Sequence, residues 1–115
     1  MADNCIFCKI IDGEIPSKKV YEDELVYAFY DIAPEAPIHV LIIPKKHIVS
    51  ISEIEENDMD YITQIHLTAK KIAKDLGIDK TGFRLVNNCG EAGGQTVYHL
   101  HYHLLGGRNL TWPPG

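Results

Sequence analysis

The sequence predicts an α+β domain in which one long helix packs on one face of an antiparallel sheet. Strand-like segments stand before and after a single long amphipathic segment at residues 58–76, and no repeat or linker-like stretch interrupts the 115 residues. A chain of this length is expected to form one domain over residues 1–115. A domain of this size buries roughly two-thirds of its unfolded surface, which is enough for a core.

The first half of the chain shows four elements. An apolar segment at 5–11 is closed by Asp-Gly, and strand-like segments at 19–22 and 25–30 flank a polar dipeptide that indicates a hairpin. Two prolines predict a loop at 33–36. The β-branched run at 39–43 predicts a short buried strand.

The long helix is predicted from apolar residues at three- and four-residue spacing, namely Met59, Ile62, Ile65, Ala69, Ile72, Ala73 and Leu76. Asn57 or Asp58 is expected to cap its start, and Gly77 follows its end. Ser52 with Glu55 indicates a capping box for a preceding turn.

Two further strands are predicted after the helix, at 83–87 and 98–105. A glycine-rich loop at 89–94 separates them, and a tail follows the second strand.

The charge balance excludes one class of ligand. Eleven Lys and Arg against sixteen Asp and Glu give a formal net charge of −5. A general nucleic-acid binder needs a basic face, so no nucleic-acid partner is expected, whereas a mononucleotide needs only a local pocket. The longest apolar run, residues 40–43, is far shorter than the about 20 residues that cross a bilayer, so no membrane partner is expected.

Three cysteines cannot form a complete disulfide framework, which predicts a reducing, cytoplasmic location. Cys5 and Cys8 form a C-x-x-C pair that is compatible with a redox dithiol, half of a metal site, or two buried thiols. No thiolate-stabilising partner is expected for Cys89.

Three histidines, His99, His101 and His103, alternate along the last predicted strand. Because side chains alternate across a strand, the histidines should share one face and the intervening apolar residues the other. The first and third would lie about 13 Å apart along the strand, at roughly 3.3 Å per residue. Different roles for different histidines are therefore more plausible than one metal held by all three.

The stretch Gly-Gly-Gln-Thr-Val-Tyr-His-Leu-His-Tyr-His-Leu-Leu-Gly-Gly-Arg, with the ending Trp-Pro-Pro-Gly, closely resembles the histidine-triad (HIT) superfamily. The ending is similar to the Hint branch, the nucleoside phosphoramidate hydrolases. The resemblance covers nearly the whole chain and includes the segments Ile6–Ile11, Phe29–Ile32, Ala36–His39 and Ile43–His47.

The resemblance implies a two-step hydrolysis at the α-phosphorus of a nucleoside 5′-phosphoramidate. His101 would be the nucleophile, oriented by the backbone carbonyl of His99, and His103 would donate to the phosphate or the bridging atom. Thr96 would assist departure of the amine, and His39 would support the triad from a neighbouring strand.

The same resemblance implies the substrate contacts. Asp31, which could equally be a turn residue, would bind the ribose hydroxyls, and Asn88 would bind near the ribose and phosphate. Gly94, Gln95 and Val97 would lie around the phosphate, where donors after two glycines can converge. The nucleobase pocket, which could also be ordinary core, would comprise Ile6, Phe7, Ile10, Phe29, Ile32 and Leu41. Trp112 would shape leaving-group specificity from the tail.

By resemblance to some superfamily members, His47 and His99 would complete a structural zinc site with Cys5 and Cys8. No organic cofactor is expected. The resemblance also implies a homodimer whose sheets are joined across the interface.

The leading hypothesis is a purine-preferring nucleoside phosphoramidase acting on an AMP-type substrate. The alternatives are a dinucleoside polyphosphate hydrolase or nucleotidylyl transferase of the same superfamily, and a nucleotide-binding regulatory module with little turnover.

Overall fold

The structure is a computed structural model that describes residues 4–115. Its helices are α1 (Ile6–Ile11) and α2 (Met59–Asp75), and its strands are β1 (Lys19–Glu22), β2 (Val26–Tyr30), β3 (Ile38–Pro44), β4 (Phe83–Asn87) and β5 (Tyr102–Gly106). Two single 3₁₀ turns, Ile51–Glu53 and Glu56–Asp58, lead into α2. Over the described residues, no helix has both the length and the apolar character to cross a membrane.

The described strands form one antiparallel sheet in the order β1-β2-β3-β5-β4. The predicted hairpin is the β1–β2 pair, and β3 is central and almost wholly buried. The fold class is confirmed, because the long helix α2 packs on one face of this sheet.

The two faces of the sheet carry separate apolar clusters. The larger cluster lies under α2 and contains Leu100, Tyr102 and Leu104 with the inner face of the helix. The smaller cluster lies under α1 on the opposite face. Phe29, Leu41 and His103 stand directly opposite one another on β2, β3 and β5, so all three point to the α1 face. The alternation of three histidines with three apolar residues therefore separates them as predicted.

The last strand is shorter than predicted, since it begins at Tyr102 rather than at residue 98. Upstream of Tyr102 the chain leaves the sheet ladder, and the amide of Leu100 donates to the carbonyl of Ile48. His99 and His101 consequently lie outside the regular strand, and of the three histidines only His103 belongs to β5.

The start of α2 also differs from the prediction. Asp58 is the N-cap residue but makes no side-chain capping bond there; its carboxylate accepts from the amide of Glu55 and from the Lys46 ammonium. The capping box is therefore Glu55–Asp58 rather than Ser52–Glu55. Met59 is 47% exposed and lies outside the buried stripe. Gly77 has the expected left-handed conformation, with φ of +78°.

Candidate active site

His101 lies at the centre of the α1 face with its tautomer fixed by one hydrogen bond. Its Nδ1 is 2.8 Å from the carbonyl oxygen of His99, and a carbonyl can only accept, so Nδ1 carries the proton. Nε2 of a neutral ring then keeps its lone pair. Burial lowers the pKa of His101 below its usual value, which favours this neutral form. The backbone of His101 is held in turn by Asn87, whose amide donates to its carbonyl at 3.0 Å.

His39 and His103 form a second pair with determined tautomers. The amide of Glu35 donates to Nδ1 of His39 at 3.0 Å, so the proton of a neutral His39 lies on Nε2. That Nε2 is 2.9 Å from Nδ1 of His103, which must accept. His103 therefore carries its own proton on Nε2. Burial, and then the neighbouring His101 and His39, lower the pKa of His103 to about 4. The rings of His101 and His103 are 5.1 Å apart.

Asp31 lies in a turn, which is one of the two roles considered from the sequence. One carboxylate oxygen accepts from the amide of Ala33 at 2.7 Å, which closes a turn, while the other lies 3.4 Å from Nε2 of His39. A cavity of about 720 Å³ opens beside it, lined by Ile10, Pro16, Ser17, Lys18, Phe29, Tyr30, Asp31, Ile32, Pro34, Pro37 and His39. A carboxylate at the mouth of an apolar cavity suits a ligand with an apolar ring and paired hydroxyls.

Five of the six predicted base-pocket residues divide into two groups. Ile10, Phe29 and Ile32 line this cavity, although Ile32 is fully exposed, while Phe7 and Leu41 are buried in the cluster behind it. Phe7 packs edge-on against the ring of His101, with centroids 5.1 Å apart.

Ile6 and Trp112 lie away from the cavity of about 720 Å³. Ile6 is 46% exposed and lines a separate cavity of about 470 Å³ together with Thr96 and Val97. Trp112 is 81% exposed and lines neither of these two cavities.

The glycine-rich loop is held by Gln95 rather than left free to donate. Its side-chain amide donates to the carbonyls of Val49 and Val97 and accepts from the amide of Gly90, and its own amide donates to the Gly90 carbonyl. This differs from the prediction that Gln95 donates to a phosphate, because its N–H groups are already paired inside the protein. Asn88 is half-buried at the start of the loop, and Gly94 and Thr96 are exposed.

Cys5, Cys8, His47 and His99 converge so that one ligand atom from each lies within 4.8 Å of all the others. Nδ1 of His99 is 3.3 Å from Sγ of Cys5 and 3.5 Å from Sγ of Cys8, and Nδ1 of His47 is 3.3 Å from Sγ of Cys8. The two Nδ1 atoms are 3.2 Å apart. Zn–S and Zn–N bonds at tetrahedral angles separate N from N by about 3.3 Å and S from N by about 3.6 Å, so the residues fit a zinc ion.

The tautomer of His99 also fits a metal ligand. Its Nε2 lies 2.9 Å from the carbonyl of Pro44 and must donate there, which leaves the lone pair on Nδ1, facing the cysteines. Burial lowers the pKa of His99 to about 4, so the ring is neutral near pH 7. Burial raises the pKa of Cys8 to about 12, so the thiol stays protonated in the absence of a cation.

Cys89 has a partner that sequence reasoning missed. Its Sγ lies 3.1 Å from the hydroxyl of Ser52, and hydrogen bonds from Ser52, with smaller contributions from Ser50 and Ile51, lower its pKa. The prediction that it lacks a stabilising partner was wrong, because a turn distant in sequence supplies the donors.

Four supporting groups had no sequence signal of their own. The amide of Glu35 and the carbonyl of Pro44 fix two imidazole tautomers, Asn87 holds the backbone of His101, and Arg108 donates to the carbonyl of Glu35. Backbone groups are present at every position, so only the fold reveals which of them face a histidine.

Comparison with known proteins places this fold and site. The sequence model of the HIT domain matches residues 12–110. An uncharacterized HIT-like protein of Synechococcus elongatus is 52% identical over 115 residues, which is 100% of both chains. The chain belongs to the HIT domain family.

Solved structures agree with this assignment. A HIT family hydrolase from Legionella pneumophila superposes with a TM-score of 0.96 at 54% identity, covering 97% of this chain and 100% of that one. A histidine triad nucleotide-binding protein from Candida albicans superposes with a TM-score of 0.83 at 40% identity, covering 96% of this chain and 83% of that one.

Proposed function

We propose that this protein is a nucleoside phosphoramidase of the Hint type, which hydrolyses the P–N bond of a purine nucleoside 5′-phosphoramidate. The observation that carries the proposal is the hydrogen bond from Nδ1 of His101 to the carbonyl of His99, which leaves an unprotonated Nε2 in a buried, neutral ring. A protein that only binds nucleotides has no need of such a nucleophile. Similarity to a HIT family hydrolase and to a histidine triad nucleotide-binding protein supports the same class of activity.

In the first step, Nε2 of His101 forms a bond to the α-phosphorus as the P–N bond to the amine breaks. The N–H at Nε2 of His103 donates a hydrogen bond to the departing nitrogen, which takes up a proton from solvent and leaves as a neutral amine. The positive charge on the nucleotidyl-imidazole is stabilised by the His99 carbonyl that already accepts its Nδ1 proton. Thr96 is proposed to contact the leaving amine.

In the second step, water attacks the phosphorus and the bond to Nε2 of His101 breaks. Solvent takes the proton that the water loses, which restores the neutral His101 ring and yields the nucleoside monophosphate. His39 keeps Nδ1 of His103 occupied as an acceptor throughout, so Nε2 of His103 keeps its proton and remains a hydrogen-bond donor.

The cavity beside Asp31 is proposed to hold the nucleoside. The buried rings and aliphatic side chains at its base suit a purine, and the Asp31 oxygen that faces His39 can accept from the ribose hydroxyls. Asn88, Gly94 and Val97 are proposed to lie near the phosphate. The exposed Ile6 and Trp112 are proposed to face the leaving group rather than the base.

We also propose that zinc binds Cys5, Cys8, His47 and His99 as a structural ion. Four protein ligands leave no open coordination position, so the ion would supply cross-linking rather than chemistry. The cluster joins α1, the segment after β3 and the segment before β5. It thereby holds the backbone of His99, which orients His101.

A homodimer is proposed on the basis of the free edge of β4. The sheet order leaves this strand unpaired on one side in the described chain, and Phe83 at its start is 40% exposed. Sedimentation at micromolar concentration is expected to give twice the chain mass of 12.9 kDa. The chain mass itself at that concentration would contradict the dimer.

The experiment that tests the function is intact-mass analysis after brief acid quench with an adenosine phosphoramidate. A nucleotidyl adduct on the wild type, absent from His101→Ala, is the expected result. His66→Ala is the matched control, because His66 packs against Tyr102 on the opposite face of the sheet. Substrate that remains unchanged with the wild type would exclude the enzyme and leave a nucleotide-binding module. A higher kcat/KM for a diadenosine polyphosphate in competition would instead identify a polyphosphate hydrolase.

A further inference from the structure

Arg108 joins the base of the C-terminal tail to the loop between β2 and β3. Its Nη2 and Nε both donate to the carbonyl oxygen of Glu35, at 2.9 and 3.3 Å, and its Nη1 donates to the carbonyl of Asn109 at 3.1 Å. The planar guanidinium can direct two N–H groups at one oxygen, which a lysine ammonium cannot do with the same fixed geometry.

The adjoining glycine brings the two segments close enough for this contact. Gly107 has φ of +90°, and a Cβ at this position would lie 2.9 Å from Cβ of Pro37. Any other residue would therefore have to push the tail away from the loop, which would lengthen the bonds from Arg108 to Glu35.

Glu35, whose carbonyl accepts from Arg108, also contacts the histidines through its amide, which belongs to the preceding peptide group. The amide of Glu35 donates to Nδ1 of His39, and Nε2 of His39 donates to Nδ1 of His103. The orientation of the Glu35 residue thus decides which nitrogen of His39 carries the proton, and His39 decides the same for His103. Glu35 and His39 thus connect the exposed guanidinium of Arg108 to the imidazole of His103.

We propose that Arg108 is a positioning residue that sets the tautomer of His103 through Glu35 and His39. This inference rests on the proposed function for its kinetic consequence. Without the two hydrogen bonds from Arg108 to the Glu35 carbonyl, the amide of Glu35 is no longer held in position to donate to Nδ1 of His39. The proton of His39 can then lie on Nδ1 instead of Nε2. Nε2 of His39 then accepts, and the proton of His103 moves to Nδ1, where it cannot reach the leaving amine.

The test compares Arg108→Met, which keeps the chain length without donors, with Arg108→Lys, which keeps one donor. Arg84→Met is the matched control, because Arg84 also donates to a carbonyl of the tail, that of Thr111 at 2.9 Å. The first readout is the ¹⁵N chemical shifts of the His39 and His103 rings, which distinguish protonated from unprotonated nitrogens without any turnover. The second is kcat and KM for an adenosine phosphoramidate with a poor leaving amine.

Arg108→Met is expected to mix the two tautomers of His39 and His103 and to lower kcat by about ten- to a hundredfold, with KM changed by less than about threefold. Arg108→Lys should recover part of kcat, and Arg84→Met should resemble the wild type in both readouts. Unchanged imidazole shifts in Arg108→Met overturn the inference, whatever the activity. A wild type without turnover would refute the proposed function, while the shifts would still decide the role of Arg108.

Discussion

The ring of Phe7 meets the ring of His101 edge-on, at a centroid distance of 5.1 Å and an interplanar angle of 84°. Phe7 also makes edge-on contacts with Phe29 and His99. The short helix α1 therefore places one aromatic side chain against both the candidate active site, at His101, and the cysteine–histidine cluster, at His99. The contact explains how a six-residue helix at the start of the chain affects a residue near its end.

Replacement of Phe7 with leucine should weaken both stability and catalysis. Loss of buried aromatic packing is expected to cost about 1–2 kcal/mol of unfolding free energy, below the 3–5 kcal/mol typical of deletion to alanine. Without the Phe7 ring against it, the imidazole of His101 should be less fixed in orientation, which should lower kcat by about tenfold. Urea unfolding and steady-state kinetics measure the two effects, and a stability loss with unchanged kcat would refute the packing role in catalysis.

Loss of one cluster thiol should release the proposed zinc. Wild type is expected to carry about one zinc per chain, whereas Cys5→Ser should carry far less and lose at least about 2 kcal/mol of stability, or roughly 8 °C in Tm. Cys89→Ser is the matched control, because its sulfur contacts Ser52 rather than the cluster. Elemental analysis and thermal unfolding measure both quantities. Metal content that is equal in the three proteins would contradict the ligand set.

Substitution of Gln95 with alanine should disturb the loop as well as the fold. It removes three hydrogen bonds made by a side chain that is 5% exposed, which is expected to cost about 1–3 kcal/mol. The loop should also move, so KM for the nucleotide substrate should rise. Gln64→Ala is the comparison, since Gln64 donates to Asp23 in the turn between β1 and β2 rather than to the glycine-rich loop. It should affect stability alone, and an equal rise of KM in both variants would argue against a loop-specific role.

Two threonine-to-valine substitutions should affect different properties, one the stability of the fold and the other the catalytic rate. Thr68 is 1% exposed, and its hydroxyl has no hydrogen-bond partner within residues 4–115, so Thr68→Val should raise stability by about 1 kcal/mol without changing activity. Thr96 is exposed, so Thr96→Val should leave stability within about 0.5 kcal/mol but slow the release of poor leaving amines. A destabilised Thr68→Val, or a fully active Thr96→Val, would contradict these assignments.

The spacing of residues along the sequence was sufficient to predict the elements in which apolar residues recur at a regular interval. The spacing of Ile62, Ile65, Ala69 and Ile72 identified α2, and alternation separated the histidines from the apolar residues beside them. The end of a strand has no such signal. β5 begins at Tyr102 because the chain upstream bonds to Ile48 instead of to β3, and that contact depends on a loop far away in sequence.

The sequence by itself determined the α+β class, the alternating histidines and the presence of ligand-type residues, because these depend on residue type and short-range period. Only the tertiary structure decided the tautomers of His39 and His99, since these depend on which backbone groups face the two rings, namely the amide of Glu35 and the carbonyl of Pro44. The tertiary structure likewise showed that the Gln95 side chain holds the glycine-rich loop and that Arg108 donates to the carbonyl of Glu35. Such hydrogen bonds require a particular direction and distance between two groups, and neither can be recognised from residue type and short-range spacing.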